Sequence, residues 1–214
     1  MLNLSFADRA ILGLDKLLKH NFKATPTQVR RPNPAATIIF SEQLNQQEQQ
    51  QSVAMMRINH SGEICAQALY QGQALTAKTS KQRNALLQAA AEESDHLAWC
   101  QQRLNELNGR TSVLNPVWYA GSLGIGALAG LAGDTISLGF VAETEHQVSK
   151  HLAEHLLKMS LKDQKSRAIL EQMRSDELEH ATQAERAGAR RLPLPIKILM
   201  KFTAKILTIT AARF

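Results

Sequence analysis

Six side chains able to bind a metal ion recur along this chain in one order. Glu63 stands alone in Arg57-Ile58-Asn59-His60-Ser61-Gly62-Glu63, and thirty positions later comes Glu93-Ser94-Asp95-His96. Glu145 stands alone in Val141-Ala142-Glu143-Thr144-Glu145-His146, and thirty-two positions later comes Glu177-Leu178-Glu179-His180. A Glu and a His three apart share one helical face, about one turn from each other. Four helices that supply Glu, Glu-x-x-His, Glu and Glu-x-x-His form a known frame for two iron or manganese ions. The charges agree, because two divalent cations cancel four carboxylates. Without cations, four carboxylates in an apolar core repel one another and lose their hydration, which forces them to protonate. Mixed carboxylate and imidazole ligation suits iron or manganese better than zinc.

The third ligand segment holds a second Glu-x-x-His, Glu143 to His146. The apolar stripe Leu138, Val141, Ala142, Val148, Leu152 and Leu156 runs through Glu145, whereas Glu143 lies about 200° away around a helix. Glu145 is therefore the expected ligand. His146, His151 and His155 are read as surface residues or as residues that steady a ligand from behind. Glu92, Asp176 and Glu179 are read as solvated neighbours of the motifs. Glu93 and Glu177 are expected to bridge the two ions, with Glu63 and Glu145 terminal and His96 and His180 on one ion each. No side chain is singled out as a general base, so no catalytic residue is expected beyond the metal ligands.

These motifs need long helices to carry them. Ala, Leu, Gln and Glu are plentiful and β-branched runs are rare, which favours an all-α chain of one domain over residues 1–214. Apolar spacing places bundle helices from about Glu42 to Lys78, Gln82 to Asn108, through the third segment to Lys158, and Leu161 to Arg190. Residues 4–20 read as an amphipathic helix, and a connector rich in proline completes residues 1–40. Pro193 and Pro195 are expected to end the fourth bundle helix. A basic amphipathic tail helix over 192–214 follows, with Lys197, Lys201 and Lys205 at four-residue spacing. Residues 111–133 carry no charge, and six of the eleven glycines lie between Gly121 and Gly139. That stretch reads as a buried bundle segment, an interfacial surface or a membrane span. Gly126 and Gly130 suit close helix approach, and Gly62 is expected to let a helix or ligand come near Glu63.

The net charge of +6 does not indicate nucleic acid. Seven basic residues and no acid lie from Arg186 onward, leaving 18 basic against 19 acidic residues in the rest of the chain. The basicity belongs to the tail, so a polyanion groove in the body is not expected. Cys65 and Cys100 form no Cys-x-x-Cys and read as small apolar residues. No secretory signal is visible, which points to the cytoplasmic side of a bacterial membrane.

The motifs Arg57-Ile-Asn-His-Ser-Gly-Glu63, Glu93-Ser-Asp-His96, Val141-Ala-Glu-Thr-Glu145-His146 and Asp176-Glu-Leu-Glu-His180 resemble those of the demethoxyubiquinone hydroxylase family. The resemblance implies a ferritin-like antiparallel four-helix bundle with extra amphipathic N- and C-terminal helices. It implies a di-iron monooxygenase that uses O2 to hydroxylate the ring of a polyprenylated methoxy-methyl-benzoquinol in ubiquinone biosynthesis. The family's ligand positions fall on Glu63, Glu93, His96, Glu145, Glu177 and His180. The implied partners are a polyprenylated quinol, O2 and a membrane surface held peripherally, at the cytoplasmic face of the bacterial inner membrane. The reading leaves room for an accessory lipid-binding protein and for a homo-oligomer. The competing readings are a ferritin-like iron oxidase or peroxidase and a non-enzymatic lipid-binding bundle at the membrane surface.

Overall fold

The computed structural model describes residues 30–39 and 42–214, and every long element among them is helical. The helix expected over residues 4–20 lies outside the described residues. Helix α1 spans Gln46–Thr76, α2 Ser80–Glu106, α3 Asn115–Leu131, α4 Asp134–Lys158, α5 Gln164–Arg186 and α6 Leu194–Arg213. Local chemistry sets these limits. Asn45 accepts from the Glu48 N–H at 2.9 Å while Glu48 accepts from the Asn45 N–H at 2.8 Å. This reciprocal cap starts α1 at Gln46 rather than near Glu42. Thr79 caps α2, and Asp163 caps α5 by accepting from the Ser166 N–H at 3.0 Å. Gly188, at φ 99°, follows the end of α5. Pro193 and Pro195 therefore open α6 instead of closing α5.

The third segment differs from the continuous helix expected. Gly133 takes φ 108°, a conformation that favours glycine, and the chain breaks there into α3 and α4. The two halves then do different work. Helix α3 runs beside α1 in the same direction, with Asn115 at Ser61, Gly126 at Leu69 and Gly130 at Gln73. It carries the chain back to the end where α2 began. Helix α4 starts there, with Gln73 donating to the Ser137 carbonyl at 2.8 Å, and descends until Lys158 meets Gln51. Helices α1, α2, α5 and α4 thus form a ring in which every neighbour is antiparallel, and α3 is the single long crossover typical of ferritin-like bundles.

Backbone proximity holds α3 on α1. A Cβ on Gly126 would fall on the Leu69 carbonyl, and one on Gly72 would fall on the Leu123 carbonyl. The Gly126-x-x-x-Gly130 approach is present. Gly62 behaves otherwise, since a Cβ there meets nothing within 4 Å. The bundle core has two layers. Met55, Met56, Trp99, Cys100, Leu104, Leu152, Ile169, Leu170 and Met173 fill one. Ala66, Tyr70, Ala74, Leu86, Ala90, Val141, Ala142 and Ala184 fill the other. The six candidate metal ligands sit at the junction.

Helix α6 returns along the side of α1 and α4. Lys197 Nζ lies 2.6 Å from Glu143 Oε2, Arg57 donates to the Ala212 carbonyl at 3.1 Å, and the Val113 N–H donates to the Phe214 carbonyl at 2.9 Å. Lys197 is thus tied to the bundle rather than solvated. No helix among the described residues is long and apolar enough to cross a membrane.

The glycine contacts predict opposite outcomes for two alanine substitutions two residues apart, on opposite faces of α3. Gly126→Ala should lower stability by about 1–3 kcal/mol through overpacking. Gly124→Ala, at a site open to solvent, should raise it by roughly 0.5–1 kcal/mol. Urea midpoints of the metal-free protein measure both; equal midpoints would contradict the α1–α3 approach.

Candidate metal centre

The bundle brings all six sequence-predicted side chains together, in two overlapping groups. Glu63, Glu93, His96 and Glu177 form one; Glu93, Glu145, Glu177 and His180 form the other. Within each group the candidate ligand atoms lie within 4.8 Å of one another. Helix α1 contributes Glu63, α2 Glu93 and His96, α4 Glu145, and α5 Glu177 and His180.

Glu93 and Glu177 belong to both groups, and each divides its two oxygens between them. Glu93 Oε2 lies 2.9 Å from His96 Nδ1, and its Oε1 lies 3.3 Å from His180 Nδ1. Glu177 Oε1 lies 3.2 Å from His96 Nδ1, and its Oε2 lies 3.4 Å from His180 Nδ1. This is the arrangement a carboxylate needs to span two neighbouring cations.

The donor atoms also leave bonding capacity unused. Glu93 Oε1, Glu145 Oε2, both Glu177 oxygens and His180 Nδ1 are buried and have no hydrogen-bond partner. Glu93 Oε1 and both Glu177 oxygens lie within 3.4 Å of an imidazole nitrogen without forming a hydrogen bond to it. Orphaned polar atoms are costly in a core. Clustering them around common points fits a pair of metal ions.

Each histidine is held from behind. Asp176 Oδ2 lies 2.9 Å from His96 Nε2, and Glu92 Oε2 lies 3.0 Å from His180 Nε2. A carboxylate on the outer nitrogen leaves Nδ1 to ligate, orients the ring and strengthens it as a ligand. Asp176 and Glu92 are therefore not the solvated neighbours the sequence suggested, whereas Glu179 is exposed. A signal was present. Each Glu-x-x-His is immediately preceded by an acid, Glu92 before Glu93 and Asp176 before Glu177, and each acid reaches the histidine of the opposite helix. Tyr70, from α1, donates to Glu145 Oε1 and leaves Oε2 facing the cluster.

Glu143 lies apart, paired with Lys197 and accepting from Gln147 at 2.7 Å. His146 meets Glu185 at 2.9 Å. His151 and His155 pack with ring centroids 4.0 Å apart and planes tilted by 58°, and His155 is buried rather than on the surface. Burial lowers the His155 pKa to about 3, so it stays neutral.

In the metal-free site the six groups divide into two protonation classes. Burial, together with the charges of neighbouring carboxylates, holds Glu63 and Glu145 well above the ordinary carboxylate range. Burial pushes Glu93 and Glu177 upward too, but the imidazoles of His96 and His180 outweigh it and both end lower than usual. Burial opposes charge on the imidazoles, but the carboxylates around them win. His96 is raised well above its usual value and His180 is raised to about 12. Two carboxylates and two imidazoliums then cancel, with Glu63 and Glu145 neutral. With two divalent cations, four carboxylates and neutral imidazoles, the sum is again zero.

The chain is similar over nearly its whole length to proteins of one activity. A family model described as ubiquinone biosynthesis protein COQ7 matches residues 50–211. A protein of Nitrosospira multiformis named 3-demethoxyubiquinol 3-hydroxylase is 52% identical over 204 residues, which is 95% of this chain and 97% of its own. A protein of the same name from Nitrosococcus oceani is 53% identical over 208 residues, covering 97% of this chain and 96% of its own. Another from Nitrosomonas europaea is 50% identical over 211 residues, covering 99% of each.

Filling the site should exchange cations for protons. One proton each from Glu63, Glu145, His96 and His180 gives about four released per two divalent ions, and affinity should rise with pH while those protons remain to be displaced. Calorimetry of anaerobic ferrous binding in buffers of different ionisation enthalpy counts them. A release near zero would contradict the protonation pattern.

Proposed function

The chain belongs to the ubiquinone biosynthesis protein COQ7 family, and from that premise we propose that it acts as a 3-demethoxyubiquinol 3-hydroxylase with a di-iron centre. The observation that carries this reading is the pair of overlapping groups that share Glu93 and Glu177. Glu63, Glu93, His96 and Glu177 would hold one iron ion, and Glu93, Glu145, Glu177 and His180 would hold the other. A reduced iron pair supplies the power to activate O2, which amino-acid side chains lack. In the net reaction one oxygen atom enters a ring C–H bond of the quinol. The other leaves as water, with two electrons and two protons from an external reductant.

The chain's own residues set the conditions for that chemistry. Asp176 and Glu92 hold the imidazoles in one tautomer and one orientation. Tyr70 holds the outer oxygen of Glu145, which leaves the inner one for the metal. Near-complete burial of Glu63, Glu93, Glu145 and Glu177 keeps bulk water from the reacting centre. A seam between α1 and α4, lined by Ala66, Leu69, Tyr70, Phe140, Thr144 and Glu145, reaches the cluster at Glu145.

Helices α3 and α6 supply a surface for the quinol's prenyl tail. Helix α6 exposes Leu194, Ile198, Leu199, Phe202 and Ile209, and α3 exposes Val117, Ile125, Leu128 and Leu131. Apolar area on this scale marks an interaction surface. These faces rest on the cytoplasmic surface of the bacterial inner membrane, where the quinol resides, with Lys201 and Lys205 near anionic headgroups.

Anaerobically reduced, iron-loaded protein given a demethoxyubiquinol and isotopically labelled O2 should yield hydroxylated quinol carrying one labelled oxygen. Glu177→Ala should cut turnover at least about a hundredfold while helix content persists. Product without label, or full turnover by the variant, would sink the hydroxylase reading.

Membrane binding is separable. Leu199→Glu with Phe202→Glu should weaken binding to anionic vesicles by tenfold or more, since each buried side chain of this size contributes about 1.5–3 kcal/mol. Vesicle sedimentation measures it, and unchanged binding would move the contact elsewhere.

A further inference from the structure

Arg31 lies ahead of the bundle, just before the short turn of 3-10 helix Pro34–Thr37 and outside the residues 50–211 that match the family. Its guanidinium joins two acids. Nε lies 3.2 Å from Asp95 Oδ2 and Nη1 lies 2.8 Å from Asp176 Oδ2. The neighbouring Arg30 N–H donates to Asp95 Oδ1 at 2.7 Å. The guanidinium sits over Trp99, 5.0 Å from the ring centroid, and the Trp99 ring lies 5.3 Å from that of His96. One cation therefore ties together both Asp176, which holds the outer nitrogen of His96, and Trp99, which packs beside it.

The other histidine has a looser support. The outer nitrogen of His180 meets Glu92, whose side chain is 34% exposed against 16% for Asp176. Glu92 is otherwise engaged by the amide of Gln88 at 3.1 Å, within its own helix. A partly exposed carboxylate held only locally is screened by water and loses more freedom when it must stand still. Asp176, clamped from a separate segment of chain, has less freedom left to lose.

We propose that Arg31 is a positioning residue that makes the two halves of the metal centre unequal. The half built on Glu63 and His96 is preorganised by the Arg31 strap and fills first; the half built on Glu145 and His180 fills second. This rests on the reading of the six side chains as ligands of two metal ions. The strap acts on the direction of the His96 ring through Asp176 and through its own Nη2, 3.3 Å from His96 Nε2, and it is not itself a metal ligand.

The test is anaerobic loading of the full-length metal-free protein with isotopically enriched ferrous iron, followed by calorimetry and Mössbauer spectroscopy. The parent should show two binding steps of different affinity, and a single quadrupole doublet at one equivalent. His96→Ala should abolish the tighter step, and His180→Ala the weaker. Arg31→Gln should weaken the tighter step roughly ten- to hundredfold and leave the weaker step in place, so that one equivalent gives two doublets. Arg31→Lys keeps the charge without the planar fork that spans two acids, and should behave like Arg31→Gln. Circular dichroism checks that each variant is folded, and the parent and Arg31→Lys decide the matter should Arg31→Gln not fold. Two equal steps in the parent, or an Arg31→Lys that loads like the parent, overturns the inequality while the metal centre stands. A parent that takes up no iron overturns the ligand reading together with it.

Discussion

Electroneutrality in a dry interior is the constraint on which this molecule depends. Four carboxylates and two imidazoles lie at mid-bundle, nearly all of them excluded from water. Unbalanced charge there would cost several kcal/mol per ion even after relaxation. The site meets the constraint in two ways with the same six side chains. The shifts of Glu63, Glu145, His96 and His180 all favour their protonated forms, which would balance it without metal, and two divalent cations would balance it in their place.

The rest of the fold follows from bringing four helices to that point. An antiparallel ring of α1, α2, α5 and α4 aims one carboxylate-bearing face from each helix at a common axis. The chain must leave α2 at one end and start α4 at the other, so a helix has to travel the length of the bundle outside it. Helix α3 does so, and glycines at 72, 126 and 130 let its backbone lie against α1. One consequence is apolar. Among the described residues, a crossover helix with one face on α1 has its other face uncovered, and α6 adds a second uncovered face beside it. Both flank the side of the bundle where the seam approaches Glu145. The connection forced by topology thus also supplies a surface suited to a substrate with a long apolar tail.

A second layer of acids completes the centre. Glu92 and Asp176 cross between α2 and α5 to the opposite histidine, so the interface between these helices is built from the same groups that orient the ligands. Arg103 continues the pattern below, with its Nη2 2.8 Å from Asp163 Oδ1 and its Nε 2.8 Å from Ser166 Oγ. Buried polar contacts of this kind fix helix register, because sliding either helix by one turn would leave charges unpaired.

Much of this was legible from residue order alone. The Glu, Glu-x-x-His repeat marks four helices, their inward faces and the six side chains, because helical periodicity converts spacing into direction. The choice of Glu145 over Glu143 followed from the same periodicity. What periodicity cannot convey is the relation between helices. That Gly133 would divide the third segment, that α3 would lie outside the ring, and that Glu92, Asp176 and Arg31 would converge on two imidazoles all depend on residues far apart in the chain. An acid beside a motif looks solvated from its own helix, and only the neighbouring helix makes it a partner. Local spacing determined which groups face inward, and tertiary packing decided what each of them meets there.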